Sequence, residues 1–317
     1  MVIRIVARRL AVGLLILWAT SVIVFVCIHV LPGDAAETIL GKQSNPYMLR
    51  VLRQELGLSK PLLTQYINWL DNLVTLNWGK SLVSSLSVAS ITGSAAENTA
   101  ILTGFTMIVL TPLAIVLGAV TATKSGKLWD NIASLVMLCL NAVPDFVVAI
   151  ILIYFLAANV AHLFPAASLV TPGTSIFSQL VVTVLPTATL VLVLLPYPTR
   201  MVRASMIEVL QSDYIMMARL KGMPERRVIM RHALRNAMGP MVQACGLTLL
   251  FLSGGVIIVE AVFNYPGLGE TLITAVNQRD IPVIQVIVVL VAAACVLINL
   301  ISDLVVLAVT PKLRARL

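Results

Sequence analysis

Six runs almost free of charged residues, each long enough to traverse a bilayer core, constrain this chain more than any motif in it. A membrane-crossing helix needs about 20 predominantly apolar residues. The runs cover about Ala11 to Val30, Thr99 to Thr123, Ile132 to Ala158, Gln179 to Leu195, Met241 to Val262 and Pro282 to Val309. With 59% hydrophobic and 11% charged residues, the whole chain departs from soluble composition in the same direction. The expected architecture is an all-α membrane protein of six transmembrane helices, a single domain over residues 1–317.

Basic residues orient such a bundle, because Lys and Arg beside short loops stay on the cytoplasmic side. One set of alternate segments holds Arg4, Arg8 and Arg9, Lys124 and Lys127, Arg200 to Arg235, then Lys312, Arg314 and Arg316. The other holds only Lys42, Arg50, Arg53, Lys60, Lys80 and Arg279. Both termini are therefore expected in the cytoplasm, with residues 31–97 outside and a loop over 198–240 inside. A basic cluster before an apolar run also fits a signal peptide, but Ala11 to Val30 exceeds the usual cleaved core, which favours a retained helix. The net charge of +8 is thus topological, and no nucleic-acid-binding pattern accompanies it.

In the outer segment, Leu49, Leu52 and Leu56, then Leu62, Leu63, Tyr66, Ile67 and Leu70, recur at helical spacing. Two short amphipathic helices are expected there, broken at Gly57 and Pro61, lying on the membrane or against the outer ends of the spans. The four cysteines, Cys27, Cys139, Cys245 and Cys295, fall in the runs and form no paired motif, so buried free thiols are expected. His29, His162 and His232 are too scattered for a metal site.

Two strings imitate catalytic motifs. Gly79-Lys80-Ser81 lacks the glycine five positions earlier that a phosphate loop requires, since Val74 stands there. Ser253 before Gly254 resembles an intramembrane nucleophile, but no histidine lies in the sixth run to act as its base. Gly254 and Gly255 instead suit close helix packing.

The stretch DYIMMARLKGMPERRVIMRHALRN, residues 213–236, gathers much of the positive charge. Ser212 can cap a helix that starts at Asp213 and ends with Arg219 and Lys221, as the helix dipole prefers. Gly222 suits the left-handed position after its end, with Pro224 just beyond. A second helix is expected from Pro224, with Arg227, Arg231 and Arg235 on one stripe and Ile229, Ala233 and Ala237 on another.

DYIMMARLKG followed by RHALRNA and Pro240 resembles the cytoplasmic loop signature of bacterial ABC importer permeases of the dipeptide/oligopeptide family, which includes nickel and glutathione members. The resemblance extends to ARRL before the first run, LPGD at 31–34, LGLSKPLLTQY at 56–66, VRASMIEVL at 202–210, VEAVFNYPGLG at 259–269, RDIPVIQ at 279–285 and NLISDL at 299–304. It implies a multi-pass permease of the bacterial plasma membrane, paired with a homologous second permease, two cytoplasmic ATP-binding subunits and an extracytoplasmic substrate-binding protein. It also implies that ATP and Mg are bound by those subunits, with no cofactor and no catalysis on this chain. By the same resemblance the short helix sits in a cleft of the ATPase, with Asp213, Tyr214, Ala218, Arg219, Lys221, Gly222, Arg235 and Asn236 as coupling residues.

The chain departs from that pattern at Ala35, where proline is common, and at Asp145, where serine is usual. Asp145 stands about 14 residues into the third run, roughly 20 Å along a helix, with Pro144 beside it as a kink. A carboxylate at that depth is costly unless paired or hydrated, so it either lines the pathway or bonds to a neighbouring helix. Asp145 and Glu260 are the candidate pathway residues. The competing class is a stand-alone channel or secondary transporter, which half-helices broken near Pro112 and Pro144 would favour.

Overall fold

The computed structural model describes residues 2–30, 45–55, 59–158, 162–168 and 180–309. The LPGD stretch with Ala35, Gly57, and the C-terminal Lys312, Arg314 and Arg316 lie outside the described residues. Among those described, the regular structure is helical apart from one antiparallel bridge between Lys80 and Ser87. In chain order the helices are α1 (Val2–Val30), α2 (Pro46–Glu55), α3 (Leu62–Val74), α4 (Val88–Thr123), α5 (Leu128–Ala142) and α6 (Asp145–Leu152), which a π-helical turn continues over Ile153–Ala158. Next come α7 (Val181–Leu194), α8 (Pro196–Leu210), α9 (Asp213–Leu220), a helical turn Glu225–Arg227 with a π-helical segment Val228–Ala233, α10 (Leu234–Phe263), α11 (Leu268–Gln278) and α12 (Ile281–Val309).

Among the described residues, four helices are long and apolar enough to cross a membrane unbroken, over Val6–Val30, Val88–Thr123, Gly239–Phe263 and Ile281–Val305. Two more candidates are bent pairs, Leu128–Ala142 with Asp145–Ala158 at 104° and Val181–Leu194 with Pro196–Leu210 at 45°.

The third run is therefore not one kinked helix. Val143 adopts an extended conformation, φ −92° and ψ 128°, as the residue before a proline prefers, and α5 stops. Pro144 then serves as the N-cap of α6, and Asp145 is the first residue of a new helix rather than the fourteenth of an old one. Its carboxylate stands at the helix end where backbone N–H groups are unpaired and negative charge is favoured. Pro112 and Pro240, by contrast, lie inside continuous helices, α4 and α10. The fourth run, expected to end at Leu195, bends there and continues as α8, because Pro196 and Pro198 occupy the first turn, where no intrahelical N–H is required.

The chain divides into two compact units, Met1–Thr99 with Pro266–Leu297 and Ala100–Tyr265 with Ile298–Leu317. In the first unit α3 sits against α1: the hydroxyls of Ser21 and Tyr66 are 2.9 Å apart, and Phe25 meets Tyr66 edge to face. Pro61 is the N-cap of α3, where a break was expected. The Gly79-Lys80-Ser81 string forms a turn docked on Asp280, which accepts a hydrogen bond from the Ser81 hydroxyl and another from the Leu82 N–H at 3.1 Å. Gly79 has φ +71°, a left-handed turn conformation that glycine favours. Asn98 donates to the Pro266 carbonyl at 2.7 Å and the Leu268 N–H donates to Thr99 at 2.8 Å, which ties the start of α11 to α4.

In the second unit a cluster of Leu102, Ala149, Leu185, Leu190, Leu252, Val256 and Phe263 joins α4, α6, α7 and α10. Close packing of α10 falls at Gly246, where an added Cβ would clash with the Ser302 hydroxyl of α12, and at Gly255, which faces the Asp145 carboxylate of α6, while a Cβ at Gly254 would meet nothing within 4 Å. The Ser253 hydroxyl donates back to the Leu249 carbonyl. The expected burial of the thiols fails for Cys27 and Cys139, which are exposed on the isolated chain, whereas Cys245 and Cys295 are half-buried. Apolar spans leave part of their surface to lipid, so a small apolar residue there need not face protein.

Candidate functional site

The short helix α9 is joined to α8 by a two-residue link and packs on it through one face. Ile215 and Ala218 are buried, in one cluster with Val202 and Met206 of α8 and with Val228, Ala233 and Ala237. Full burial of a side chain such as Ile215 stabilises by about 1.5–3 kcal/mol relative to water exposure. The opposite face carries Tyr214, Met216, Met217 and Leu220, the last two 55% and 71% exposed. An apolar face on a helix between spans is a surface that lacks its partner.

Both ends of α9 are sharply set. Ser212 has the extended backbone of an N-cap, φ −77° and ψ 150°, but the expected side-chain cap is absent. Its hydroxyl donates to the Val209 carbonyl instead, satisfying an end carbonyl of α8. At the other end Gly222 has φ +75°; its N–H donates to Arg219 at 2.9 Å and the Met223 N–H donates to Ala218 at 3.3 Å. That pair of bonds is the Schellman arrangement, and half-buried Met223 packs on the cluster containing Ala218.

Side-chain bonds brace α9 against the segment that leads into α10. Arg219 grips Glu225 with both ends of its guanidinium, at 2.6 and 3.1 Å, and the carboxylate beside it raises the Arg219 pKa. The Asn236 amide donates to the Tyr214 hydroxyl at 2.8 Å. Asp213, Lys221 and Arg235 are exposed. Arg227 and Arg231 are exposed with Arg235, as expected of one stripe, but the apolar stripe differs from expectation. It runs Val228, Ala233, Ala237, Met241, with half-buried Ile229 to one side, because the π-helical segment sets its first two members five positions apart.

Of the candidate pathway acids, Asp145 is half-buried at the start of α6, and a Cβ added at Gly255 would stand 3.0 Å from its Oδ2. Glu260 is fully buried in the last turns of α10. The helix ends just after it: Asn264 takes the left-handed conformation, φ 49°, and the buried Tyr265 donates its N–H to the Glu260 carbonyl at 2.8 Å. Burial, and after it the charge of Glu260, holds the Tyr265 phenol above its usual pKa.

Sequence reasoning missed Asp130 and Arg203. They form a bidentate ion pair, both bonds 2.7 Å, in which the Asp130 side chain is 3% exposed. Their separation of 73 residues left no local signal.

The family described as binding-protein-dependent transport system inner membrane component matches residues 114–315, and its N-terminal membrane component matches residues 2–108. A probable peptide ABC transporter permease of Sinorhizobium fredii is 32% identical over 307 residues, 97% of this chain and 98% of that protein. The glutathione transport system permease protein GsiC is 35% identical over 298 residues in Escherichia coli, covering 94% of each chain. The protein of that name in Shigella flexneri shows the same identity over the same length.

Proposed function

We infer that this chain, which belongs to the family of binding-protein-dependent transport system inner membrane components, is the permease subunit of an ABC importer for peptides or glutathione. It is a multi-pass protein of the inner membrane. Around it we place a homologous second permease, two cytoplasmic ATP-binding subunits and an extracytoplasmic substrate-binding protein. ATP and Mg belong to the ATP-binding subunits, and this chain does no chemistry. Each bent pair counts as one crossing, which gives six, with both termini cytoplasmic.

The observation that carries this reading is α9: a terminated helix with one face buried and an unpartnered apolar face of Tyr214, Met216, Met217 and Leu220. An ATPase cleft is the occupant that suits it, and the braces to Glu225 and Asn236 keep α9 rigid with the segment leading into α10. Displacement of the ATPases then reaches the spans as a rigid-body motion, the usual basis of alternating access. Asp145 and Glu260 remain our candidates for the pathway. Half-helices broken near both Pro112 and Pro144 would favour a stand-alone transporter, but Pro112 sits in unbroken α4.

The test is uptake by the reconstituted complex of labelled dipeptide, oligopeptide, glutathione and nickel, with and without ATP and the binding protein. Import of a peptide or of glutathione that requires both is expected. Substrate flux through this chain alone, indifferent to ATP, would reject the assignment.

A further inference from the structure

Asp130 is the third residue of α5, just after the turn that leaves α4, and its carboxylate is tied on two sides. Oδ1 accepts from Arg203 Nε and Oδ2 from Nη2, both at 2.7 Å. Oδ2 also accepts the backbone N–H of Gly126 at 2.9 Å, within that turn. The guanidinium comes from α8, about 10 Å before its C-terminal end at 1.5 Å per residue. Beside it α4 and α8 pack closely, with the Val202 side chain against Gly118: a Cβ at Gly118 would fall 2.7 Å from Val202 and 2.9 Å from the Thr199 carbonyl. At this crossing the buried Thr199 hydroxyl has no hydrogen-bond partner among the described residues.

An apolar contact would hold α8 to the turn at less desolvation cost than an ion pair whose carboxylate is buried. It would also let the two slide. A bidentate guanidinium–carboxylate pair has one geometry, so it fixes register as well as proximity. Because α8 and α9 share one core through Met206, Ile215 and Ala218, whatever displaces α9 displaces Arg203 with it.

We propose that the Asp130–Arg203 pair is a positioning clasp that carries the displacement of α9 and α8 to the α4–α5 turn, keeping ATP hydrolysis in the partner subunits coupled to substrate movement. Neither residue touches substrate; both act through the helices they join. The proposal rests on the reading of α9 as the ATPase-binding element.

The experiment uses the complete importer in proteoliposomes, with Arg203→Lys, which keeps the charge and loses the paired donors, and Asp130→Asn, which keeps the shape and loses the charge. ATPase retention, hydrolysis stimulated by the loaded binding protein, and substrate imported per ATP hydrolysed are measured per assembled complex. Both variants are expected to retain the ATPases while import per ATP falls about fivefold or more. The exchanged pair, Asp130→Arg with Arg203→Asp, is expected to recover part of that ratio. A residue needed only for folding lowers import and hydrolysis together, through the amount of complex. An unchanged ratio in both conservative variants would overturn the clasp, and so would failure of both to assemble, which assigns the pair to folding alone. Failure of the α9 reading looks different: an otherwise wild-type complex lacking the Tyr214, Met216 and Leu220 side chains would still hold its ATPases.

Discussion

The backbone N–H of Met223 donates to the carbonyl of Ala218 at 3.3 Å, and that bond, with Gly222 left-handed between them, decides where α9 stops. An added Cβ at Gly222 would meet no other atom within 4 Å, so any penalty there is conformational and not steric crowding.

Gly222→Ala should therefore cost about 1 kcal/mol and Gly222→Val more, while Gly222→Asn, which tolerates the left-handed region, should stay near wild type. In reconstituted complex, Gly222→Val is expected to insert normally and to lose ATPase retention or stimulated hydrolysis. If Gly222→Val matches wild type while neutralising Arg227, Arg231 and Arg235 abolishes uptake, charge and not cap geometry governs the segment.

Asp145 Oδ2 sits where a Gly255 side chain would begin, at 3.0 Å. Gly255→Ala should displace the carboxylate and lower both thermal stability and uptake, whereas Gly254→Ala, with open space around it, should stay within about 0.5 kcal/mol of wild type. Asp145→Asn separates charge from shape: normal assembly with wild-type uptake would remove the carboxylate's charge from the transport cycle.

These tests reflect what the sequence could and could not disclose. Four spans were legible because their apolar runs are unbroken, and the ends of α9 because Gly222 and Pro224 act locally. The break at Val143 was partly visible, since a proline followed by an acid is a helix-start signal as well as a kink signal. Proline alone does not decide between them, as Pro112 and Pro240 show from inside continuous helices. The π-helical segment was invisible because Val228 and Ile229 are both apolar, and only packing chooses which joins Ala233 in the core. Pairs such as Asp130 with Arg203, Gly246 with Ser302 and Ser81 with Asp280 are distant in sequence, and no periodicity can report them.

Asp280 is 4% exposed, and its carboxylate holds the 79–87 turn by the Ser81 hydroxyl and the Leu82 N–H. Asp280→Ala leaves the buried Ser81 hydroxyl and the half-buried Leu82 N–H without that acceptor, which should cost about 1–3 kcal/mol. Limited proteolysis of the purified complex should then cut within that turn. Resistance equal to wild type would mean that the turn is held by packing of Trp78 and Val88, not by the carboxylate.

Orientation is the expectation with the widest consequences, because it decides which partners each surface can meet. Basic residues assign Ser59, before α3, to the outside and Ser125, in the α4–α5 turn, to the cytoplasm; both are exposed, so either position as a single cysteine should react. The background must lack all native thiols, since Cys27 and Cys139 are themselves exposed on the chain. In intact cells with the outer membrane permeabilised, an impermeant maleimide should modify Ser59→Cys at once and Ser125→Cys only after the inner membrane is opened. A crossing α4 requires this opposite labelling, because Ser59 and Ser125 are separated by that single span. Labelling of both from the same side would mean that α4 does not cross. The charge asymmetry would then have another cause, and the ATPase reading of α9 would lose the cytoplasmic address on which it depends.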